Sequence, residues 1–387
     1  MINLLLRIKR FCGYAVGFVF FISGLLKLMD PVGAGLVMKE YFTFLHMGFL
    51  SGAGITFGVI FALAEAVIGA ALITGVWKKP VALAAIALQG FFTLLTLALV
   101  IFNPEMDCGC FGEAIHLTHS QTFIKNIILL GLLLMYYIPS KHLNKPKAKK
   151  YVSFGLVTVS TAAFALYSLL YIPMVDFTAL KSGVEVNREA YSADNSYEAV
   201  FVYSKDGQEQ TFSLDDIPDS TWTFVRTETV SQPEVLKPAT AISIYDKDGQ
   251  YADSLLTAGR ILVISAYEEI SEKEAARLSA FAQNAVLAGF TPIMLAASED
   301  IMVPEGITRY FCDYKTLITL NRSNGGVTYI DGGLIIRKWA KRNLPDLEDL
   351  TDLSDMDATE SYIERDSKTS LAFQGFLLYV FAVMLLL

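Results

Sequence analysis

The segment Asp107-Cys108-Gly109-Cys110-Phe111-Gly112 places two of the chain's four cysteines one residue apart. Thiols at that spacing can cycle between dithiol and disulfide, or bind a soft metal as thiolates. A disulfide between such near neighbours closes a small ring. Strain in that ring makes the bond easier to reduce, and therefore more oxidising toward other thiols. Gly109 supplies the backbone freedom the ring needs. The plain alternatives are a static loop staple and a pair of buried or acylated thiols. A metal reading draws on His116 and His119 after the cysteines and His46 in an earlier loop. Cys-x-Cys followed by His-x-x-His is not a standard zinc spacing, however, and loop histidines are commonly just solvated. Cys12 and Cys312 stand alone in the sequence and read as packing residues.

Glu65 is the second candidate. It lies within Phe61-Ala62-Leu63-Ala64-Glu65-Ala66-Val67-Ile68-Gly69. A carboxyl in the middle of an apolar span is expensive, and faces the bundle interior or a cavity where it occurs. It fits a proton carrier beside a quinone site, or a neutral group hydrogen-bonded to another helix. Lys27, Asp30 and Lys125 are its candidate partners, although both lysines lie where long side chains snorkel to the interface.

These residues must be positioned by membrane helices. A bilayer core of about 30 Å needs about 20 apolar residues as a helix. Stretches 13–29, 53–76, 81–102, 123–138, 152–172 and 371–387 are the candidates. The first has the basic start of a signal peptide, but Lys27 and Asp30 follow it without a small-x-small cleavage site, which favours an uncleaved helix. Residues 1–150 carry a balance of +7 and residues 151–387 one of −15. Ten of the first half's thirteen basic residues fall in three alternating segments: Arg7, Lys9 and Arg10; Lys78 and Lys79; and Lys141, Lys145, Lys147, Lys149 and Lys150. The positive-inside rule puts these three in the cytoplasm. The cysteine loop and residues 173–370 then lie outside, on the periplasmic side of a bacterial inner membrane. That compartment is oxidising.

The first four spans resemble the DoxX and MauE families of small four-helix membrane proteins. The resemblance rests on Phe20-Phe21-Ile22-Ser23-Gly24-Leu25-Leu26-Lys27-Leu28 with Asp30-Pro31, on Glu65, and on the DCGCFG loop followed by Phe123-Ile124-Lys125-Asn126. The whole chain resembles larger DoxX-related membrane proteins of Bacteroidetes, which add a fifth helix and an external domain. The resemblance implies support of disulfide formation or of maturation of exported proteins on the MauE side. On the DoxX side it implies sulfur oxidation and quinones.

Residues 173–370 read as α/β. Strands are expected at 197–204 and 210–214, joined through Lys205-Asp206-Gly207, and at 241–245, 260–266, 292–296 and 308–311. A helix is expected at 272–288, its apolar face formed by Ala275, Leu278, Phe281, Ala282, Ala285 and Val286. A short helix near 315–321 and a hairpin 327–330/334–338 complete the pattern. This order resembles a thioredoxin-like fold. The junction where thioredoxins carry Cys-x-x-Cys here reads Ser265-Ala266-Tyr267-Glu268-Glu269-Ile270-Ser271. The acidic balance argues against nucleic acid as a partner.

The expected architecture is therefore a membrane α-helical bundle with an external α/β, thioredoxin-like domain. It divides into a DoxX/MauE-like four-helix domain (1–140), a basic loop and fifth helix (141–172), the external domain (173–342), an acidic linker (343–370) and a C-terminal membrane helix (371–387). The expected function is a redox accessory using Cys108, Cys110 and Glu65. A membrane quinone is its candidate cofactor, and the lipid bilayer and exported proteins its partners. A non-enzymatic assembly or docking protein and a metal-handling protein are the alternatives.

Overall fold

The computed structural model describes residues 2–104, 106–137, 146–186, 199–205, 208–212, 218, 222–229 and 240–386. Lys141, Lys145, Glu105 and the hairpin tip Asp206-Gly207 lie outside the described residues.

Among them, five helices are long and apolar enough to cross a membrane. They are carried by α1 (Ile2–Met29), α3 (Gly54–Thr74), α4 (Lys78–Phe102), α5 (His119–Tyr137) and α6 (Ala148–Leu170). The residue types decide how closely they approach. A Cβ on Gly24 of α1 would stand 2.6 Å from the Ala62 carbonyl oxygen and the Ala66 nitrogen of α3, and one on Gly69 would stand 2.5 Å from the Phe21 nitrogen. Small residues let two backbones meet where lipid supplies no hydrophobic drive for association. Phe21, Leu25, Ala66 and Ala70 fill the same contact. Polar side chains tie α4 to α5: the Asn126 amide donates to Thr96 Oγ1 at 3.1 Å and the Gln89 amide to the Asn126 carbonyl at 3.2 Å.

One element was not anticipated. Residues after Asp30 form α2 (Pro31–Phe44), followed by a 3-10 turn, Gly48–Ala53. Its start is nonetheless written in the sequence. Asp30 is the N-cap, accepting from Gly33 N at 2.9 Å, and Pro31 occupies the first turn.

The second half contains two sheets. The smaller is antiparallel, in the order β3-β2-β4, built from β2 (Ala199–Lys205), β3 (Gln208–Phe212) and β4 (Thr223–Thr229). The larger has the order β7-β6-β5-β8-β9. Here β5 (Arg260–Ala266), β6 (Thr291–Ala296) and β7 (Thr308–Phe311) are parallel. β8 (Gly326–Asp331) pairs antiparallel with β5, and β9 (Leu334–Trp339) pairs antiparallel with β8. Helices α7 (Glu272–Leu287) and α8 (Tyr314–Leu320) connect β5 to β6 and β7 to β8. β5 is a continuous apolar run because both its faces are covered. Leu262 and Ile264 meet Phe281 and Met294 on one side, and Val263 meets Leu317 and Ile335 on the other. Ser271 and Glu274 close a capping box at the start of α7.

The sheet domain rests on α2. Val32 and Leu36 pack against its core cluster. The buried Arg322 guanidinium reaches Asp30 at 2.9 Å and Glu113 at 3.0 Å. After α9 (Leu347–Asp355), helix α10 (Ala358–Leu386) returns along α6. There Ser160 Oγ donates to Tyr379 OH at 2.8 Å, and Phe164 meets Phe376 at 5.3 Å between ring centres.

Several expectations are corrected. Residues 343–370, read as an acidic linker or helix, hold α9 and the start of α10. Residues 241–245 form no strand; Tyr245 makes only isolated bridges to Tyr251 and Phe311. Val286 points to solvent, 60% exposed, because the buried stripe of α7 ends at Ala285. Lys27 does not snorkel: a carboxylate within reach holds it inside the bundle.

Candidate functional site

That carboxylate is Glu65. Ser23 and Lys27 are four residues apart on α1 and so share one face. The glycine-mediated crossing brings that face against Glu65 of α3. Lys27 Nζ stands 2.7 and 2.8 Å from the two carboxylate oxygens; the Glu65 side chain is buried, 5% exposed, and that of Lys27 is partly buried, 13% exposed. The ammonium also lies over the Phe92 ring, 5.5 Å from its centre. Ser23 Oγ is 2.8 Å from Glu65 Oε2 and 2.7 Å from the Cys110 carbonyl oxygen. Its single proton serves one of these acceptors at a time, so Ser23 joins the buried ion pair to the cysteine loop.

The loop is gripped from a second direction. Tyr41 of α2 donates its phenol proton to the Cys108 carbonyl at 2.9 Å. Burial raises the Tyr41 phenol above its ordinary range, and the nearby thiols add to this, so it remains a donor. Gly109 takes φ +58° and a Cβ there would strike Val37, so both conformation and space require glycine. The strand that follows, β1 (Cys110–Glu113), leads to Glu113 and the Arg322 clamp. Lys125 of α5 lies over the Phe111 ring, 4.8 Å from its centre.

These groups surround a cavity of about 280 Å³. Ser23, Lys27, Glu65, Cys108, Cys110 and Lys125 line its polar side, while Phe57, Phe61, Phe91, Phe92 and Leu95 form an apolar wall. The lining residues Leu45 and Phe91 have exposed side chains, so the cavity opens on the flank of the bundle. Both cysteines are free thiols, Cys108 buried and Cys110 half-buried. Burial pushes the Cys108 thiol up and the Cys110 and Asp107 charges add to it, against the opposing effects of Thr122 and Lys125. Cys108 is therefore held as a thiol, and Cys110 is the more accessible sulfur. The site gathers two thiols, a carboxylate–ammonium pair and a mostly apolar wall around one chamber.

The structure thus brings Cys108, Cys110 and Glu65 to one cavity. It does not bring the histidines there. His119 Nε2 contacts the Met106 carbonyl at 2.9 Å, His116 is exposed beside Asp107, and His46 is exposed. Among the described residues no group of three or more His, Cys, Asp or Glu is placed to hold a metal ion. Cys12 is buried among Leu72, Leu133 and Tyr136. Cys312 lies in the sheet core, where burial pushes its thiol up to about 12. Ser23 and Tyr41 were missed by sequence reasoning. The i, i+4 relation of Ser23 to Lys27 was the available signal for the first. The second had none, because its partner is a backbone carbonyl.

The sheet domain meets this site through one end. Asn324 Oδ1 accepts from Tyr267 N and Glu268 N at 2.9 and 3.1 Å, and Tyr267 OH donates to the Arg322 carbonyl at 2.9 Å. The β5–α7 junction is thereby tied to the arginine that clamps Asp30 and Glu113. Beside it, Lys39 Nζ donates to Tyr314 OH at 2.6 Å and Lys315 Nζ approaches Glu40 at 3.5 Å.

Fold and site together define a multi-pass membrane helical bundle carrying a docked mixed-sheet domain. Residues 4–139 match the family model described as methylamine utilisation protein MauE, which makes this segment MauE-like. Residues 197–231, which include the smaller sheet, match a domain of unknown function, DUF8463. No curated protein and no solved structure matches the chain.

Proposed function

We propose that the chain is a redox accessory of the bacterial inner membrane, with its cysteine loop and sheet domain on the periplasmic side. The observation that carries this reading is that Cys108, Cys110 and Glu65 line one cavity with a wide apolar wall. In the proposed cycle, a client protein's dithiol reduces the Cys108–Cys110 disulfide and becomes a disulfide itself. The two electrons and two protons then pass from the Cys108–Cys110 dithiol to an oxidised quinone in the cavity, giving the quinol. Glu65 handles a proton through Ser23. Exported proteins are the proposed clients. The MauE description suggests methylamine utilisation as one process in which such an accessory acts.

The larger sheet supports a thioredoxin-like origin for the external domain: a β-α-β unit with two antiparallel strands added beside its first strand. No cysteine stands at the β5–α7 junction, and that end is engaged with α2 and the loop. The domain is accordingly proposed to position clients rather than exchange thiols. This observation also favours the second reading, a non-enzymatic docking protein.

Trapping separates the two. Because Cys110 is the accessible sulfur, Cys108→Ala should leave Cys110 able to accumulate a mixed disulfide with a client, while Cys110→Ala should trap little. The redox reading is overturned if thiol labelling finds both cysteines permanently in one state and the double Cys→Ala strain retains full function.

A further inference from the structure

At the end of the bundle opposite the cysteine loop, three elements bring basic side chains to one cavity of about 420 Å³. Arg10 comes from α1, Lys78 from the start of α4, and Lys147, Lys149 and Lys150 from the start of α6. Among the described residues no Asp or Glu lines this cavity, and neither α4 nor α6 has an acidic residue in its first turn. The first turn of a helix presents the positive end of its peptide dipoles, which disfavours cations and favours anions. The C-terminal ends of α3 and α5, at Gly75 and Tyr136, line the same space and offset those dipoles, so the basic side chains set its sign. Arg10, Lys147 and Lys149, from two helices, put like charge around one space, which is unfavourable in a protein alone and favourable once an anion enters.

The remaining lining identifies the anion. Tyr14, Leu72, Ile73 and Tyr136 supply an apolar and aromatic wall. Tyr14 is 49% exposed on the flank of α1, a membrane-crossing helix. A free phosphate would use only the cations. A phospholipid uses both sides, with its headgroup phosphate among the basic residues and its first acyl carbons along the aromatic wall. We infer that this cavity is a binding site for the headgroup of an anionic phospholipid such as phosphatidylglycerol. The inference is independent of the redox reading, because the two sites lie at opposite ends of the bundle.

The test uses the full chain, purified in detergent and stripped of lipid, with bound lipid counted by native mass spectrometry during titration. Phosphatidylglycerol should bind in preference to phosphatidylcholine. Each neutralised cation should weaken it by roughly fivefold, so Lys147→Gln with Lys149→Gln should lose roughly 25-fold. Arg10→Gln, on a different helix, should weaken binding as well, which keeps the test valid if the α6 variant folds poorly. Arg7 and Lys79 are exposed at the same end but do not line the cavity. Arg7→Gln with Lys79→Gln should therefore bind as the unaltered chain does. Equal binding of the two lipids overturns the inference, and so does an equal loss in the Arg7/Lys79 variant, which would indicate diffuse surface charge. Displacement of phosphatidylglycerol by inorganic phosphate alone also overturns it, in favour of a free-phosphate site.

Discussion

Lys27→Met tests the ion pair that joins α1 to α3. The change keeps all but the last atom of the side chain's length and removes its charge, leaving the Glu65 carboxylate stranded in a site where it is 5% exposed. Removing one member of a buried pair usually destabilises by about 3–5 kcal/mol. Loss of the ammonium over Phe92 adds about 0.5 kcal/mol. The expected loss is therefore about 4 kcal/mol at pH 7. Reversible unfolding of the full chain in mixed micelles, titrated with a denaturing detergent at pH 7, measures it. Adding Glu65→Gln should recover most of the loss, since the amide needs no counter-charge. A loss below about 1 kcal/mol, or a double variant no more stable than Lys27→Met alone, would refute the assignment of a charged pair.

Other outcomes follow from the same contacts. Gly24→Leu should force α1 away from the Ala62 and Ala66 backbone, lowering stability by at least about 1–3 kcal/mol in the same assay. Arg322→Met strands Asp30 and Glu113, and should increase protease cleavage between the bundle and the sheet domain while leaving the fold of each intact. Glu274 is held at about 2, first by the Lys341 hydrogen bond, so its contribution is present above pH 4.5 and is lost as pH falls toward 2. The pair is more than a third exposed, which limits the effect to about 0.5 kcal/mol, and Glu274→Gln should remove that part of the acid dependence of thermal unfolding.

The membrane spans were legible because a bilayer imposes one length and one composition on them. The elements of the larger sheet were legible because β5, β6 and the β8–β9 hairpin are short apolar runs with turn residues between them. Glu65 and the two loop cysteines stood out for the same reason: polar or reactive groups beside long apolar stretches are costly to place. α2 escaped notice because its apolar content, broken by Gly33 and Gly35, is too short for a span, although Asp30-Pro31 marked its start. Lys27 was assigned to the interface because snorkelling is a property of one side chain. Its pairing with Glu65 depends on the crossing of two helices set by Gly24 and Gly69. The Arg322 clamp joins residues nearly 300 positions apart, a separation at which local patterns carry no information.

Three consecutive residues of α2 hold different parts of the molecule. Lys39 grips Tyr314 and Glu40 approaches Lys315, both on the sheet domain, while Tyr41 holds the carbonyl of Cys108. Side chains on successive residues of a helix point about 100° apart around a backbone that hardly bends. A force that tilts the sheet domain therefore passes through less than one helical turn before it reaches the peptide unit of a cysteine. The other cysteine's carbonyl is anchored to α1 by Ser23, on a different helix. Pulling on the domain thus acts across the gap between the two sulfurs, as a handle acts on the jaws of a pair of tongs.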